Sequence, residues 1–151
     1  MVWKPHVTVA AVIERDGRFL LVEETTETGL AFNQPAGHLE PGEDLLSAIK
    51  REVAEETAWT FEPEALVAVQ LWRKTPDFPS FVRFCFSGNV HTHDPARALD
   101  ADIVALHWLT PAELAARSHQ LRSPLVLKSL EAYLQGQRYP LDLLQSFLDL
   151  A

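Results

Sequence analysis

The sequence predicts an α/β or α+β fold, because several strand-like runs are interrupted by a few clear helical segments. The runs are rich in β-branched and aromatic residues and are bounded by turn residues. One segment in the first half shows helical periodicity, and the C-terminal third carries a helix-start signature. A chain of 151 residues with 47% hydrophobic residues can bury one sizeable core. We therefore expect a single domain spanning residues 1–151.

The N-terminal third predicts a β-hairpin followed by a short strand. Apolar, β-rich runs occupy residues 7–13 and 19–22, and Arg15-Asp16-Gly17 between them is typical of a hairpin turn. Residues 25–30 are predicted to form a polar loop. Residues 32–34 are predicted to form a short strand that ends at a proline.

Further strands and helices are predicted after residue 57. Strand patterns occupy residues 66–72, 81–86 and 103–109. The sequence Thr110-Pro111-Ala112-Glu113 indicates a helix start, since it offers a capping residue, a proline at the first position and a glutamate at the third. Another helix is predicted to begin at Ser123-Pro124 and to end at Gly136, and a short one to follow Pro140.

Residues 43–57 predict an amphipathic helix whose apolar stripe includes carboxylates. With Leu45 placed at zero on the helical wheel, Ile49 lies at about 40° and begins the apolar stripe. Glu56 lies at about 20° and Glu52 at about 340°, inside or at the edge of that stripe. Lys50 faces the opposite side. Because a carboxylate is rarely buried unless it is paired or bound to metal, these two glutamates indicate a site.

The helix and the loop before it concentrate negative charge. Six carboxylates fall within seventeen residues: Glu40, Glu43, Asp44, Glu52, Glu55 and Glu56. Like charges three or four residues apart on a helix repel each other and weaken the helix. A hard divalent cation with oxygen ligands would compensate that repulsion.

The same residues resemble the sequence signature of the Nudix family. The signature contains a glycine, five residues, a glutamate, seven residues, and then Arg-Glu-apolar-x-Glu-Glu. The matching positions are Gly37, Glu43, Arg51, Glu52, Val53, Glu55 and Glu56. The family then expects glycine and an aliphatic residue, where this chain has Ala58 and Trp59. Alanine at a left-handed helix terminus costs on the order of 1 kcal/mol, but it leaves the ligands unchanged.

The resemblance implies a Nudix fold, with a mixed β-sheet sandwiched between α-helices, and a set of site roles. Glu52 and Glu56 are the implied metal ligands, with Glu55 as a third ligand or its support. The backbone carbonyl of Gly37 is a further candidate ligand, since glycine permits an unusual backbone there. The implied cofactor is Mg²⁺ or Mn²⁺.

Catalytic roles follow from the same resemblance, and the general base stays open. Arg51 is expected to orient the carboxylates through forked hydrogen bonds, with Glu43 as its structural partner. The base is Glu55 or Glu52 from the helix, or Asp100 or Asp102 from a later loop. A base must lie within hydrogen-bond reach of the attacking water, which the sequence alone does not establish.

Six residues are candidates for binding substrate. Positive or imidazole side chains could contact phosphate, and an aromatic face could stack on a ring. The candidates are Lys4, His6, His38, Trp72, Arg83 and Arg122. Arg83 interrupts an otherwise apolar strand, and Trp72 precedes a proline-rich loop.

Five further segments extend the resemblance to one subgroup of the family. They are residues 4–10, 22–25, 33–40, 121–126 and 136–141. The subgroup implies hydrolysis of nucleoside tri- and diphosphates, and of the pyrophosphates of thiamine and its hydroxymethylpyrimidine precursor. Two alternatives stay open: a pyrophosphatase for ADP-ribose or dinucleotides, and a non-catalytic module that senses a nucleotide. A non-catalytic module normally lacks a carboxylate of the signature, and this chain keeps Glu52, Glu55 and Glu56.

Composition limits the partners of the protein. A net charge of −8 argues against binding of nucleic acid or anionic membranes. No apolar run approaches the roughly 20 residues that a membrane helix needs. The only cysteine, Cys85, lies in a strand-like run and is expected to be a buried thiol in a reducing cytoplasm. We expect a small-molecule phosphoanhydride substrate and a monomer or small homo-oligomer.

Overall fold

A computed structural model describes residues 1–150 of the chain as seven strands and three α-helices. The strands are β1 (His6–Arg15), β2 (Arg18–Thr26), β3 (Gly29–Asn33), β4 (Ala36–His38), β5 (Thr60–Trp72), β6 (Phe81–His91) and β7 (Ile103–Leu109). The helices are α1 (Leu45–Thr57), α2 (Pro111–Ala116) and α3 (Leu125–Leu134). Short 3₁₀ turns cover Ser118–Gln120 and Leu141–Leu143. None of these helices has the length and apolar character needed to cross a bilayer.

The strands form a mixed sheet that branches at β1. The strand order is β3-β2-β1-β6-β5, with β4 paired to β1 and β7 paired to β2. Strand β1 runs parallel to β6, and the other pairs are antiparallel. One edge of β1 pairs with β4 at Thr8–Ala10 and with β2 only at Glu14 and Arg15. Because β1 changes partner along its length, the two parts of the sheet diverge.

Helices cover both faces of the sheet, as the fold class predicts. On one face Ile49 and Val53 of α1 belong to a buried cluster with Val9 and Ile13 of β1. On the other face Val126 of α3 belongs to a second buried cluster, with residues of β1, β2 and β6 that include Cys85. Side chains of successive strand residues point to opposite faces, so β1 contributes to both clusters.

The ends of the helices follow their local sequence. Asp44 caps α1, since its Oδ1 accepts a hydrogen bond from the Ser47 backbone N–H at 2.7 Å. Ala58 ends α1 in the left-handed region at φ 61°, the position at which the sequence lacks the usual glycine. Thr110 and Glu113 form the predicted capping box of α2.

Strand extents differ from the sequence-based predictions. Residues 25–30, predicted as a polar loop, mostly belong to β2 and β3, which pair from Val22–Asn33 to Thr26–Gly29. Strand β5 begins at Thr60 instead of residue 66, and its pairing with β6 shifts register near Pro63 and Leu66. In both places cross-strand hydrogen bonds override the weak strand preference of the polar or proline-containing segment. The predicted helix after Pro140 is only a 3₁₀ turn.

Candidate active site

The carboxylates of α1 divide between the core and the surface as the helical wheel predicts. Glu52 and Glu56 are only 8% and 6% exposed, whereas Lys50 is exposed on the opposite face. Glu55 is partly buried between these two faces. The apolar stripe that packs α1 on the sheet therefore carries two carboxylates into a poorly solvated region.

The guanidinium of Arg51 connects four groups of this region. Its Nε and one terminal nitrogen donate to the two carboxylate oxygens of Glu43, at 2.9 and 2.7 Å. The other terminal nitrogen donates to Glu52 Oε1 at 2.8 Å and to Glu55 Oε2 at 3.1 Å. The backbone carbonyl of His38 accepts a further hydrogen bond at 3.0 Å. The hydrogen bond with Glu43 is the largest cause of the raised pKa of Arg51.

Burial raises the pKa of both core-facing glutamates. The pKa of Glu52 is raised to about 7, chiefly by burial, against which Arg51 lowers it. The pKa of Glu56 is raised to about 9, again chiefly by burial, although its Oε1 accepts a 2.8 Å hydrogen bond from the Ala36 backbone N–H. Two acidic groups are thus held where their charged forms require a compensating positive charge.

Gly37 lies against the carboxylate of Glu52. A β-carbon added at residue 37 would overlap the Glu52 carboxyl group. Gly37 belongs to β4 and does not have a positive φ. The sequence-based reason for a glycine here, an unusual backbone, is therefore wrong: a side chain at residue 37 would have to displace the Glu52 carboxylate.

Asp100 completes a cluster of carboxylates with two residues of α1. The backbone N–H of Asp100 donates to the Glu55 carbonyl at 3.0 Å, which attaches the β6–β7 loop to the helix. Carboxylate oxygens of Glu52, Glu55 and Asp100 lie within 4.8 Å of one another. Burial is the first cause of the raised pKa of Asp100, and Glu55 adds to it. The carbonyl of Asp102 instead accepts from the Thr25 N–H at 2.8 Å, and Asp102 is exposed.

The donor set of this cluster fits a hard divalent cation. Three carboxylates offer oxygen ligands close to one another, with Glu56 on the same helix as two of them and the Gly37 backbone on β4. Among residues 1–150, this is the one group of His, Cys, Asp and Glu side chains gathered closely enough to hold an ion. Magnesium and manganese both prefer oxygen ligands of this kind.

An open cleft of about 760 Å³ adjoins the cluster, and Ala36, Gly37 and His38 form part of its lining. The cleft lies where the two parts of the sheet diverge. Trp72, Phe78 and Phe81 contribute aromatic faces to its wall. The ring centroids of Trp72 and Phe81 are 5.9 Å apart.

The structure places four of the six predicted substrate-binding residues in the cleft lining. They are His38, Trp72, Arg83 and Arg122. His6 lies beside the cleft, where its Nδ1 is 3.2 Å from His38 Nε2 and its ring stacks on Phe81 at 5.1 Å. Lys4 is exposed in the segment before β1 and is not part of the lining.

Among the polar residues of the cleft that sequence reasoning missed are two with side-chain partners in its lining. Glu24 of β2 and Asn33 of β3 both line the cleft. A usable signal for Glu24 was present, since it follows the buried Val22 at the two-residue spacing of a strand face. Nothing in the sequence indicates that Asn33 faces Arg83, because their contact joins strands that are 50 residues apart.

Comparison with known proteins gives three consistent matches. The NUDIX domain model matches residues 4–130. Phosphatase NudJ of Escherichia coli (strain K12) is 42% identical over 145 residues, which cover 96% of this chain and 94% of that protein. The structure of a NUDIX hydrolase from Nitrosomonas europaea superposes with a TM-score of 0.92 at 48% identity, covering 95% of this chain and 98% of that one.

A more distant structure shares the fold alone. A UDP-X diphosphatase superposes with a TM-score of 0.73 at 22% identity, over 93% of this chain and 68% of that one.

We predict that Gly37→Ala disrupts the cluster without unfolding the protein. The new β-carbon would displace the Glu52 carboxylate, so affinity for Mn²⁺ should fall by about tenfold or more. Calorimetric titration of Mn²⁺ measures this effect, and circular dichroism checks the fold. Ala36→Gly, which removes a side chain at the adjacent position, is the control. Unchanged Mn²⁺ affinity in a folded Gly37→Ala variant would contradict the close contact.

We also predict that divalent cations stabilise the protein. Buried and crowded carboxylates repel each other in the metal-free state, and a cation that binds only the folded chain shifts the unfolding equilibrium. At about 100 times its dissociation constant, Mg²⁺ or Mn²⁺ should add about 2.7 kcal/mol to the free energy of unfolding. Thermal unfolding with EDTA, Mg²⁺ and Mn²⁺ measures the effect, with K⁺ at equal ionic strength as the control. Identical midpoints in all four conditions would remove the case for a cation site.

Proposed function

The chain belongs to the Nudix family, and from that premise we propose a Mg²⁺-dependent hydrolysis of nucleoside tri- and diphosphates. The same proposal includes the pyrophosphates of thiamine and hydroxymethylpyrimidine, with release of orthophosphate. As a Nudix hydrolase the protein acts on small-molecule phosphoanhydrides. The observation that carries the proposal is the cluster of Glu52, Glu55 and Asp100, beside the buried Glu56 and an open cleft. The name of the NudJ relative, a phosphatase, supports orthophosphate as a product.

Glu52 and Glu56, together with the Gly37 carbonyl, are the proposed metal ligands, with Glu55 as a third ligand or a support for one. Mg²⁺, with Mn²⁺ as the alternative, would stabilise charge on phosphoryl oxygens and lower the pKa of a bound water. The buried positions of Glu52 and Glu56 support this assignment, because ionised carboxylates at such positions require a positive partner.

Arg51 is proposed to hold the carboxylates in their binding orientation. Its forked contact with Glu43 fixes the plane of the guanidinium, and the remaining donors restrain Glu52 and Glu55. Glu43 is itself held by the Glu40 backbone N–H, at 2.8 Å from its Oε1. Arg51 thus acts through other residues, and Glu43 is its structural support.

Glu55 is the residue that we propose as general base. Its side chain is 31% exposed, against 10% for Glu52, so water can reach it more easily. Asp100 is the competing candidate, since its carboxylate joins the cluster and that of Asp102 does not.

The cleft offers separate contacts for the phosphates and for a ring. His38 lies next to Gly37 in the lining, and Arg122 offers positive charge from another segment, whereas Lys4 lies outside the lining. Trp72 is the proposed stacking face, supported by its position in the lining beside Phe81. His6 would act by holding the imidazole of His38.

The test of the proposal is the identity of the released phosphate across a substrate panel. The panel contains thiamine pyrophosphate, hydroxymethylpyrimidine pyrophosphate, nucleoside di- and triphosphates, and ADP-ribose, each with Mg²⁺ and with EDTA. We expect metal-dependent orthophosphate from the first three groups. Turnover of ADP-ribose alone would reassign the substrate class. No turnover on any compound, in protein that binds nucleotide, would favour a sensing module.

We predict that Glu56→Gln removes most turnover and leaves the fold intact. Loss of a carboxylate ligand should lower kcat by at least about 100-fold, because it removes charge that the cation requires. Steady-state kinetics on the best substrate of the panel, with circular dichroism, measures this. Lys50→Gln on the opposite face of α1 is the control and should retain normal activity. Near-normal activity in folded Glu56→Gln would refute the metal assignment.

A further inference from the structure

Arg83 is a buried cation whose hydrogen-bond partners are all neutral. It is 5% exposed in the middle of β6. One terminal nitrogen donates to Ser129 Oγ at 3.2 Å, and the other donates to Asn33 Oδ1 at 3.1 Å and Gln34 Oε1 at 3.0 Å. These contacts use three of the five N–H groups of the guanidinium, and together with its burial they argue against a direct role for Arg83 in binding phosphate.

The contacts of Arg83 set the orientation of two side-chain amides. A guanidinium only donates hydrogen bonds, so the amide oxygens of Asn33 and Gln34 must face it. The NH₂ group of Gln34 donates a hydrogen bond to the Val126 carbonyl oxygen at 2.8 Å. Asn33 turns its NH₂ group, a hydrogen-bond donor, away from Arg83 and toward Glu24 within the cleft lining, where a hydrogen bond from Asn33 lowers the pKa of the Glu24 carboxyl against the larger effect of burial.

Glu24 places an acceptor next to that donor. In the β2–β3 pair Val22 lies opposite Asn33 and Glu24 opposite Ala31, so Glu24 and Asn33 are diagonal neighbours on one face. Burial raises the pKa of Glu24, while Arg122 and the side chain of Asn33 lower it. Arg122 Nε lies 4.0 Å from Glu24 Oε1. The carboxylate is thus positioned by neighbours on both sides.

We propose that Asn33 and Glu24 form a donor–acceptor edge that recognises the heterocyclic end of the substrate. Arg83 is the residue that positions Asn33 in this edge. The complementary ligand is a planar ring with a hydrogen-bond acceptor beside a donor, as in an amide or amidine edge. Trp72 and Phe81 supply aromatic surface in the same cleft. The inference rests on the proposed function, since it assigns the ring end of that same substrate.

The decisive variants are Asn33→Asp and Glu24→Gln. Asn33→Asp keeps the shape and an oxygen for Arg83, but it replaces the donor with an acceptor. Glu23→Gln is the matched control on the same strand, since Glu23 contacts His107 at 3.0 Å and does not line the cleft. Asn89→Asp adds the same charge on an exposed part of β6.

The readout separates ring recognition from general electrostatics. Both cleft variants should raise KM for a nucleoside diphosphate or thiamine pyrophosphate by about tenfold, the effect of one good hydrogen bond, with kcat within about threefold. The inhibition constant of ring-free methylenediphosphonate should stay unchanged, and both controls should behave as wild type. An unchanged KM, or KM and the methylenediphosphonate constant rising together, would overturn the inference.

Two further measurements are needed. One tests the role of Arg83, and the other tests the inference if the wild-type protein hydrolyses nothing. Arg83→Met should raise KM as Asn33→Asp does, while Arg83→Lys, which keeps a donor, should recover part of the loss; equal effects of the two would contradict positioning. If wild type hydrolyses nothing, the proposed function fails. Calorimetry with α,β-methylene adenosine and cytidine diphosphates then tests the edge alone, and equal affinities of wild type and Asn33→Asp would reject it.

Discussion

The contact between Arg51 and the carboxylates around it is the interaction on which the rest of the site depends. Packing of α1 on the sheet requires its apolar stripe to be buried, and Glu52 and Glu56 are buried with it. An unpaired buried charge costs several kcal/mol, so the helix could not present these groups without compensation. Arg51 compensates part of the charge of Glu52, and the Ala36 backbone N–H compensates part of the charge of Glu56. A divalent cation would compensate the rest. The repulsion that weakens the metal-free helix is the same property that would make the site bind a cation.

The branch of the sheet at β1 decides where this chemistry meets a substrate. Strand β4 brings Gly37 against Glu52, while β2 and β3 turn away and leave the cleft between them. As a result the cleft adjoins the carboxylate cluster, and its lining holds the carboxylate of Glu24 beside the amide of Asn33. The hydrogen-bond partners of Arg83 are neutral. Arg83 can therefore orient the amides of Asn33 and Gln34 without forming an ion pair in the cleft.

Much of the fold and the metal-binding half of the site could be predicted from the sequence. The burial of Glu52 and Glu56, the exposure of Lys50, the capping box at Thr110 and the left-handed Ala58 all depend on residues within one helix turn of each other. Such local relations are carried by spacing alone. The polar strands β2 and β3 and the early start of β5 could not be predicted in the same way, because their stability comes from partners that lie elsewhere in the chain.

By itself the sequence determined the catalytic class of this protein, because seven signature positions at fixed spacing define the carboxylate set and the helix that carries it. The tertiary structure decided which later residues join that set. Asp100 reaches Glu55 through the attachment of the β6–β7 loop. The tertiary structure also decided which polar side chains meet in the cleft, where Glu24, Asn33 and Arg83 come from three strands. Contacts between distant segments depend on strand register and sheet branching, and no local pattern in the chain encodes those two properties.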